Sequence, residues 1–305
     1  MFEPVIIEAA INGVTTKDRN PNVPRSSPEI AADALACFEA GAAIVHNHVD
    51  TVAVPGDVSA EAYLEAWREI VAERPDALLY PTVNFGRGGV NGYDHIAPLA
   101  ASGVLRVSLC DPGSVNLGRT RDGLPAGGYV YRNSFDDAAA QLALCHEHGL
   151  GASIAIYEPG WLRTVLAWHR AGKLPPSLVK LYLCAEGGIT GTPFGLPPTP
   201  AALEAYLDLL GDSGLVWAVS VVGGDVVRSG MAELAIEAGG HLHLGLEFYG
   251  GPRTPTNVEL LHEAVTLLEQ LGRRPATPDE AAAMLGIAPR SLAAGPATPT
   301  PSAPG

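Results

Sequence analysis

Two histidines separated by a single residue end an apolar run near the start of the chain. The run is AAIVHNHVD, residues 42–50, and its histidines are His46 and His48. Side chains alternate between the two faces of a strand, so both imidazoles emerge on the same side. A carboxylate, Glu247, lies far along the chain in the run HLHLGLEF. Two imidazoles and one carboxylate, with one position left open, are the ligand set of a catalytic zinc site.

Eight runs typical of strands alternate with eight runs typical of helices, and these elements must position the three side chains. The first strand is VIIEAAI, residues 5–11, and the last is HLHLGLEF, residues 241–248. The alternation favours parallel strands with right-handed crossovers, and eight such units favour an α/β fold of the (β/α)8 TIM-barrel type. The alternative is an open doubly wound sheet. It would place GxGxxG after the first strand, where the chain instead has NGVTTKDRN.

A barrel brings these distant residues together. Active sites of such barrels lie at the C-terminal ends of the strands, and inward side chains of alternate strands share a layer. His46 and His48 end the second strand and Glu247 ends the eighth, so the three side chains are predicted to meet. The same alternation turns His241 and His243 to the face of Glu247. A histidine pair alone also fits a hydrogen-bonded core, but an inward carboxylate is costly unless it is paired or binds metal.

Length and composition predict one large domain. The 305 residues are 47% hydrophobic and 17% charged, which is enough for a substantial core. We assign residues 1–288 to the barrel. Residues 289–305 are rich in Pro, Ala, Ser and Thr and are predicted to be a disordered tail.

Charge and cysteine content limit the partners and the compartment. The net charge of −14 argues against a general affinity for nucleic acid. The start of the chain lacks the pattern of a signal peptide, and no apolar run is long enough to span a membrane. Four widely spaced cysteines fit a reducing compartment, so a cytoplasmic location is predicted. They are Cys37, Cys110, Cys145 and Cys184.

Several segments resemble the β-keto acid cleavage enzymes, the group that includes 3-keto-5-aminohexanoate cleavage enzyme. EAAINGVTT, PGSVNLG, GGHLHLGLE, NVELLHEAV and ATPDEAAAMLGI follow that family's order, and the resemblance spans residues 4–287. It implies a TIM barrel that holds zinc through His46, His48 and Glu247, and a homo-oligomer, either a dimer or a tetramer. It also implies a reaction in which a β-keto acid and acetyl-CoA give acetoacetate and a new acyl-CoA.

Other polar residues at predicted strand ends are candidates for binding substrate and CoA. Thr82 and Ser108 are predicted to turn inward as hydrogen-bond donors to the substrate, and Asn84 is added as a third substrate-binding residue. Gly223 and Gly224 are predicted to precede a helix, where backbone N–H groups could hold a phosphate of CoA.

Two residues are candidates for acid–base catalysis. Glu158 ends the fifth strand. There it could act as a general base, or its negative charge could interact with the N-terminus of a helix. His243 is predicted to act as a general base or as a partner of the metal ligands, and a hydrogen-bonded core histidine is the alternative. The family commonly has Arg at the position of His243 and Asp at that of Phe248, and associates them with substrate activation and acyl transfer. These departures favour a β-keto acid with a less charged tail as the substrate, or a related retro-aldol or retro-Claisen cleavage.

Two other functions remain open at this level. One is a CoA-independent, metal-dependent lyase, aldolase or hydrolase, although barrel hydrolases usually carry HxH on their first strand. The other is a barrel that binds metal or ligand without catalysis. The sequence does not name the β-keto acid.

Overall fold

The computed structural model describes residues 3–289, and eight parallel strands form its central sheet. Hydrogen-bonded neighbours follow the order β3–β2–β1–β8–β7–β6–β5–β4, so the sheet wraps into a nearly closed TIM barrel, as predicted. Apart from Pro289, the predicted tail lies outside the described residues. The strands are β1 (Ile7–Ala10), β2 (Ile44–Asn47), β3 (Leu78–Pro81), β4 (Val107–Cys110), β5 (Gly151–Ile156), β6 (Ser177–Cys184), β7 (Val216–Val222) and β8 (His241–Leu244).

A helix follows every barrel strand, which confirms the predicted alternation. A short 3₁₀ helix, Gly89–Tyr93, precedes the third of them, and a ninth helix follows the barrel within residues 3–289. The helices are α1 (Ser27–Glu39), α2 (Gly56–Glu73), α3 (Ile96–Ala101), α4 (Phe135–His148), α5 (Pro159–Arg170), α6 (Pro200–Leu210), α7 (Met231–Glu237), α8 (Asn257–Gln270) and α9 (Pro278–Leu285).

The start of α1 shows how local sequence sets an element. Ser26 is the N-cap, and Glu29 accepts a hydrogen bond from its backbone N–H at 3.0 Å. Pro28 stands in the first turn, where its missing N–H costs no helical hydrogen bond.

Register fixes which side chains face the barrel axis. Glu8 pairs with His243 on one side of β1, and Ala10 pairs with His46 on the other. Paired residues of adjacent strands point to the same face, so Glu8, His243 and His46 all point inward. The outward faces pack against the helices and form most of the apolar core.

A β-hairpin between β4 and α4 was missed by the sequence analysis. Its strands are Val115–Arg121 and Leu124–Tyr131. The turn residues Asp122 and Gly123 both have positive φ, at 52° and 77°, which is typical of an Asp-Gly hairpin turn and was a readable signal. Thr120 Oγ1 donates to the Gly191 carbonyl at 2.7 Å, so the hairpin contacts the loop after β6.

The ends of the described chain meet in a small two-stranded sheet. Pro4–Val5 pairs in parallel with Arg274–Pro275. Within residues 3–289, every helix is too short or too polar to cross a membrane.

Candidate active site

The three predicted metal ligands meet at the top of the barrel. His46 Nε2 lies 3.3 Å from Glu247 Oε2, and His48 Nε2 lies 3.2 Å from Glu247 Oε1. Ligand atoms about 2.0–2.1 Å from a tetrahedral zinc are about 3.3 Å apart, so the spacing fits such an ion. His48 Nε2 and Glu247 Oε2 are buried and lack hydrogen-bond partners among residues 3–289, as expected of atoms reserved for a metal.

Glu247 reaches the site from a turn and not from a strand, which corrects the sequence analysis. β8 ends at Leu244, and Gly245 has a φ of 134° that breaks the alternation. Backbone hydrogen bonds then hold the turn: Glu247 N–H donates to the Ala10 carbonyl at 3.1 Å. Strand alternation therefore predicted the correct ligand, although Glu247 does not lie in a strand.

His46 is oriented by β3. Its Nδ1 lies 3.1 Å from the Tyr80 carbonyl, and its ring stacks on the Tyr80 ring with centroids 4.3 Å apart. A proton on Nδ1 that is donated to this carbonyl leaves Nε2 as the free lone pair. The backbone of β3 thereby selects the tautomer that binds metal.

His48 is held through its backbone by Asn12, a fully buried residue that the sequence analysis missed. The Asn12 Oδ1 atom accepts from His48 N–H at 2.8 Å, and Asn12 Nδ2 donates to the His48 carbonyl at 3.0 Å. Because Asn12 follows β1, this amide fixes the end of β2 to the end of β1. A buried asparagine at a strand end was a signal that could have been read.

Electrostatics keep the ligands in their metal-binding forms. Burial lowers the pKa of His46 to about 3, partly offset by the charge of Glu247, so the imidazole is neutral at pH 7. Burial alone would raise the pKa of Glu247, but electrostatic interactions with His48 and His46 outweigh it and lower that pKa to about 2. Neutral histidine and ionised carboxylate are the forms that bind divalent metal.

Beneath the metal ligands lies a group of polar side chains that we call the interior cluster. Lys180 Nζ donates to Glu8 Oε1 at 2.9 Å and to the Tyr80 hydroxyl at 2.6 Å, and the Tyr80 hydroxyl donates to Glu8 Oε1. The sequence analysis missed this cluster, although a lone Glu in VIIEAAI and a lone Lys in LVKLYL were visible signals. Its members are Glu8, Tyr80, Ser153, Lys180 and His243.

Comparison with known proteins agrees with this geometry. The family model for the beta-keto acid cleavage enzymes matches residues 4–287. The chain belongs to the beta-keto acid cleavage enzyme family. Its reaction class is therefore the cleavage of β-keto acids.

Individual relatives span nearly the whole chain. A 3-keto-5-aminohexanoate cleavage enzyme of Fusobacterium nucleatum subsp. nucleatum is 27% identical over 94% of this chain and 99% of its own length. A 3-oxoadipate:acetyl-CoA acetyltransferase of Cupriavidus necator is 27% identical over 94% of this chain and 96% of its own. The solved apo structure of ObcA superposes with a TM-score of 0.67 at 16% identity, over 88% of this chain and 66% of that chain, which shows a shared fold.

His243 marks the chain's departure from the common family pattern. It faces inward as predicted and is fully buried. Its Nε2 lies 3.2 Å from Glu8 Oε1, but neither ring nitrogen makes a hydrogen bond among residues 3–289. Burial, together with the charges of Lys180 and His46, lowers its pKa, so the ring is neutral. Its ring lies 4.9 Å from that of Phe248 and stacks on Tyr182.

The predicted substrate-binding residues of this family member have different surroundings. Ser108 points outward and not inward, because its neighbour Leu109 pairs with the inward Ser153. The Ser108 hydroxyl instead bonds Cys145 of α4, which corrects the prediction. Thr82 lies just after β3, where its backbone bonds Tyr63 and His95.

The Asn84 side chain stabilises the loop after β3 through hydrogen bonds. Its side-chain amide donates to the Val54 carbonyl at 2.9 Å and to Asp94 Oδ1 at 3.0 Å. It also lines a cavity of about 690 Å³ between this loop and the hairpin. Substrate binding by Asn84 stays a prediction.

Glu158 and the glycine pair are engaged in the loops of the enzyme. Glu158 is the N-cap of α5, and its Oε1 accepts from Gly195 N–H at 3.0 Å. Gly223 N–H donates to the Phe248 carbonyl at 2.9 Å, and Gly224 pairs with Tyr249. The next helix, α7, begins only at Met231, so these glycines do not directly precede a helix N-terminus as predicted. CoA binding there stays a prediction.

Asp111 is a further carboxyl group that the sequence analysis missed. It follows β4 and accepts a hydrogen bond from the Tyr131 hydroxyl of the hairpin. Burial raises its pKa, partly offset by the hydrogen bond from Tyr131 and the charge of Lys180, and Glu247 and His48 also interact with it electrostatically. A carboxyl group with a raised pKa at this position suits acid–base catalysis.

Proposed function

We propose that this enzyme transfers the acyl group of a β-keto acid to CoA at a zinc site, with acetyl-CoA as co-substrate. The bond between C2 and C3 of the β-keto acid breaks. The C1–C2 unit takes the acetyl group and becomes acetoacetate, and the acyl group that begins at C3 forms a thioester with the CoA released. The exchange is balanced without an oxidant or a reductant.

The observation that carries the proposal is the trio His46, His48 and Glu247. Two imidazoles and one carboxylate suit zinc better than magnesium or calcium, which prefer oxygen ligands. When bound, zinc would act as a Lewis acid toward the keto and carboxylate oxygens of the substrate. The chain's part is to hold the ligands in place through Tyr80 and Asn12 and to bury the site.

The co-substrate is proposed from the relatives. The Cupriavidus necator protein is named an acetyl-CoA acetyltransferase, and the relation covers 94% of this chain.

For acid–base steps we propose Asp111 beside the predicted Glu158 and His243. Asp111→Asn is expected to lower kcat more than Glu158→Gln, because Glu158 is bonded to Gly195 N–H and Asp111 interacts electrostatically with the metal ligands. Equal losses in the two variants would contradict this order.

Aromatic rings beside the site favour an uncharged acyl tail. Phe248 lies 5.2 Å from the ring of Tyr182, and Tyr157 lies 5.0 Å from both Tyr182 and Phe194. Such rings bind apolar or aromatic groups, and none of them carries a positive charge that could pair with a carboxylate. We therefore expect a higher kcat/KM for β-keto acids with alkyl or aryl tails than for 3-oxoadipate.

The decisive experiment follows carbon from acetyl-CoA. Acetyl-CoA labelled with ¹³C at the acetyl carbonyl is incubated with zinc-loaded enzyme and a panel of β-keto acids, and products are read by NMR. The label is expected at C3 of acetoacetate, with an unlabelled acyl-CoA formed beside it. Cleavage that proceeds without acetyl-CoA would instead favour the lyase or hydrolase alternative, and zinc binding without turnover would favour a binding protein.

Metal content tests the site separately. The purified enzyme is expected to hold about one zinc ion per chain, and His46→Ala, His48→Ala and Glu247→Ala are each expected to lose it. His262→Ala, on the exposed face of α8, is the matched control and should keep its metal. Wild-type metal content in Glu247→Ala would contradict the assignment.

We also propose that the enzyme is a homo-oligomer that associates through the hairpin. Large apolar side chains are exposed there: Leu124 is 69%, Tyr129 54% and Val130 57% exposed, and Phe135 at the start of α4 is 72% exposed. Clustered apolar exposure of this kind marks interaction surfaces.

A further inference from the structure

The charged pair of the interior cluster is not explained by stability. Glu8 and Lys180 are 0% and 3% exposed and join β1 to β6 across the barrel axis. Removing two charges from water costs several kcal/mol per ion, and well-packed apolar residues in their place often stabilise a fold as well or better. A role in function therefore explains the pair better than a role in stability.

The ammonium group of Lys180 lies beside an aromatic ring that stacks on a metal ligand. Lys180 Nζ lies 5.0 Å from the centroid of the Tyr80 ring and 5.8 Å from that of Tyr182, the next inward residue of β6 toward the barrel top. The Tyr80 ring in turn stacks on His46.

Lys180 retains a donor, whereas Glu8 is fully engaged. An ammonium group has three N–H donors, and the hydrogen bonds to Glu8 and Tyr80 use two of them. Both oxygens of Glu8 accept hydrogen bonds, Oε1 from Lys180 and Tyr80 and Oε2 from Ser153 at 3.1 Å. The remaining N–H of Lys180 is therefore a positively charged donor of this cluster that can bind a ligand oxygen.

The charge of the substrate matches this donor. A β-keto acid enters as an anion, and cleavage of its C2–C3 bond places further negative charge on the fragment that leaves. Preorganised cations that face developing charge in a dry site lower its energy more than they would in water. His243, which is neutral, supplies no such charge where the family pattern commonly has Arg.

We propose that Lys180 is the second cation of the active site: its ammonium group, fixed by Glu8 and Tyr80 beneath the metal ligands, binds an oxygen of the β-keto acid and stabilises the negative charge that develops there. The inference rests on the proposed function for the identity of the substrate. It makes Lys180 a catalytic residue and Glu8 a positioning residue.

The test compares two variants that differ only in the ammonium group. Lys180→Met alone would leave Glu8 as an unpaired buried charge, so Glu8→Gln is compared with the double variant Glu8→Gln/Lys180→Met. Both proteins are loaded with zinc, their metal content is measured, and the binding of acetoacetate is followed by calorimetry. Acetoacetate is the probe because it is the simplest β-keto acid of the proposed reaction.

The double variant is expected to bind acetoacetate about 10- to 100-fold more weakly than Glu8→Gln, with equal zinc content, because it lacks one hydrogen bond to a charged group. Dissociation constants within threefold of each other would overturn the proposal. Loss of zinc in the double variant alone would also overturn it, because Lys180 would then act only by supporting His46.

The result is separable from that of the labelling experiment. If acetyl-CoA labelling fails and the lysine-dependent binding of acetoacetate persists, the proposed acyl transfer is wrong and the role of Lys180 stands. If labelling succeeds and binding does not depend on Lys180, only the inference about Lys180 is wrong.

Discussion

At the scale of single residues, the metal site depends on close packing around Glu247. Gly13 follows Asn12 and has a φ of 52°, and a Cβ added there would lie 2.2 Å from Glu247 Cγ. A glycine is required at this position for two reasons, because the backbone is left-handed and the carboxylate side chain occupies the space.

Gly13→Ala is therefore expected to displace Glu247 and weaken zinc binding at least about tenfold, as for other loss of support to a ligand. Gly172→Ala is the matched control, because Gly172 has a φ of 65° and nothing lies within 4 Å of an added Cβ. Zinc titration with a competing chelator measures both affinities. Equal affinities in the two variants would show that Glu247 is free to move aside.

Single residues also show which signals the sequence offered. The types and spacing of His46 and His48 were enough to predict ligands, because a strand turns both rings to one face. Glu8 and Lys180 were equally visible as charges in apolar strands, but their pairing was not. Which strands face each other across the axis depends on barrel closure.

At the scale of elements, α1 and α8 are tied together beside the site. Asn257, the first residue of α8, donates to Asp33 Oδ2 of α1 at 2.6 Å and to the Ile11 carbonyl at 2.8 Å. Its Oδ1 accepts from Leu246 N–H at 2.9 Å, which fixes the turn that carries Glu247. The helix start thus positions a metal ligand that lies on another element.

Asp33 gives this junction a pH dependence. Burial raises the pKa of Asp33 from 3.8 to about 6, partly offset by its hydrogen bond to Asn257. A carboxyl group whose pKa is higher in the folded state favours folding when protonated. The contribution of Asp33 to the free energy of unfolding therefore falls as pH rises from about 4 to about 6, by up to about 3 kcal/mol, and is then constant.

Asp33→Asn removes this loss. Between pH 4 and pH 8 the free energy of unfolding of the variant, relative to wild type, is expected to rise by about 2–3 kcal/mol. Urea unfolding at several pH values measures the difference. A difference between the two proteins that does not change with pH would contradict the raised pKa of Asp33.

At the scale of the whole molecule, zinc would join distant parts of the chain. The ligands come from the end of β2 and the turn after β8, about 200 residues apart in sequence. A metal that binds only the folded state adds about 2.7 kcal/mol to the free energy of unfolding at 100 times its Kd. We expect zinc to raise Tm by several degrees, with no shift in Glu247→Ala, as measured by calorimetry. An equal shift in that variant would place the ion elsewhere.

Association of whole chains is tested on the hairpin. Leu124→Asp combined with Val130→Asp is expected to lower the molar mass measured by light scattering after gel filtration, because charges would be buried in the interface. Val58→Asp on α2, where Val58 is 49% exposed, is the control and should leave the mass unchanged. A monomeric wild type, or a mass that the hairpin change leaves unaltered, would refute association through this surface.

The sequence by itself determined the barrel and the chemical types of the ligands. Alternating strand and helix patterns are local, and they leave few topologies because crossovers are right-handed. Segments in the family's order placed residues 4–287 in one family before any coordinates, and the family model confirms it.

Only the tertiary structure decided how the ligands meet and what lies beneath them. Gly245 breaks β8, so Glu247 arrives from a turn held by Asn257, and the register turns Ser108 toward α4. The Glu8–Lys180 pair forms across the axis. Each of these depends on the positions of backbones far apart in sequence, which no local pattern encodes.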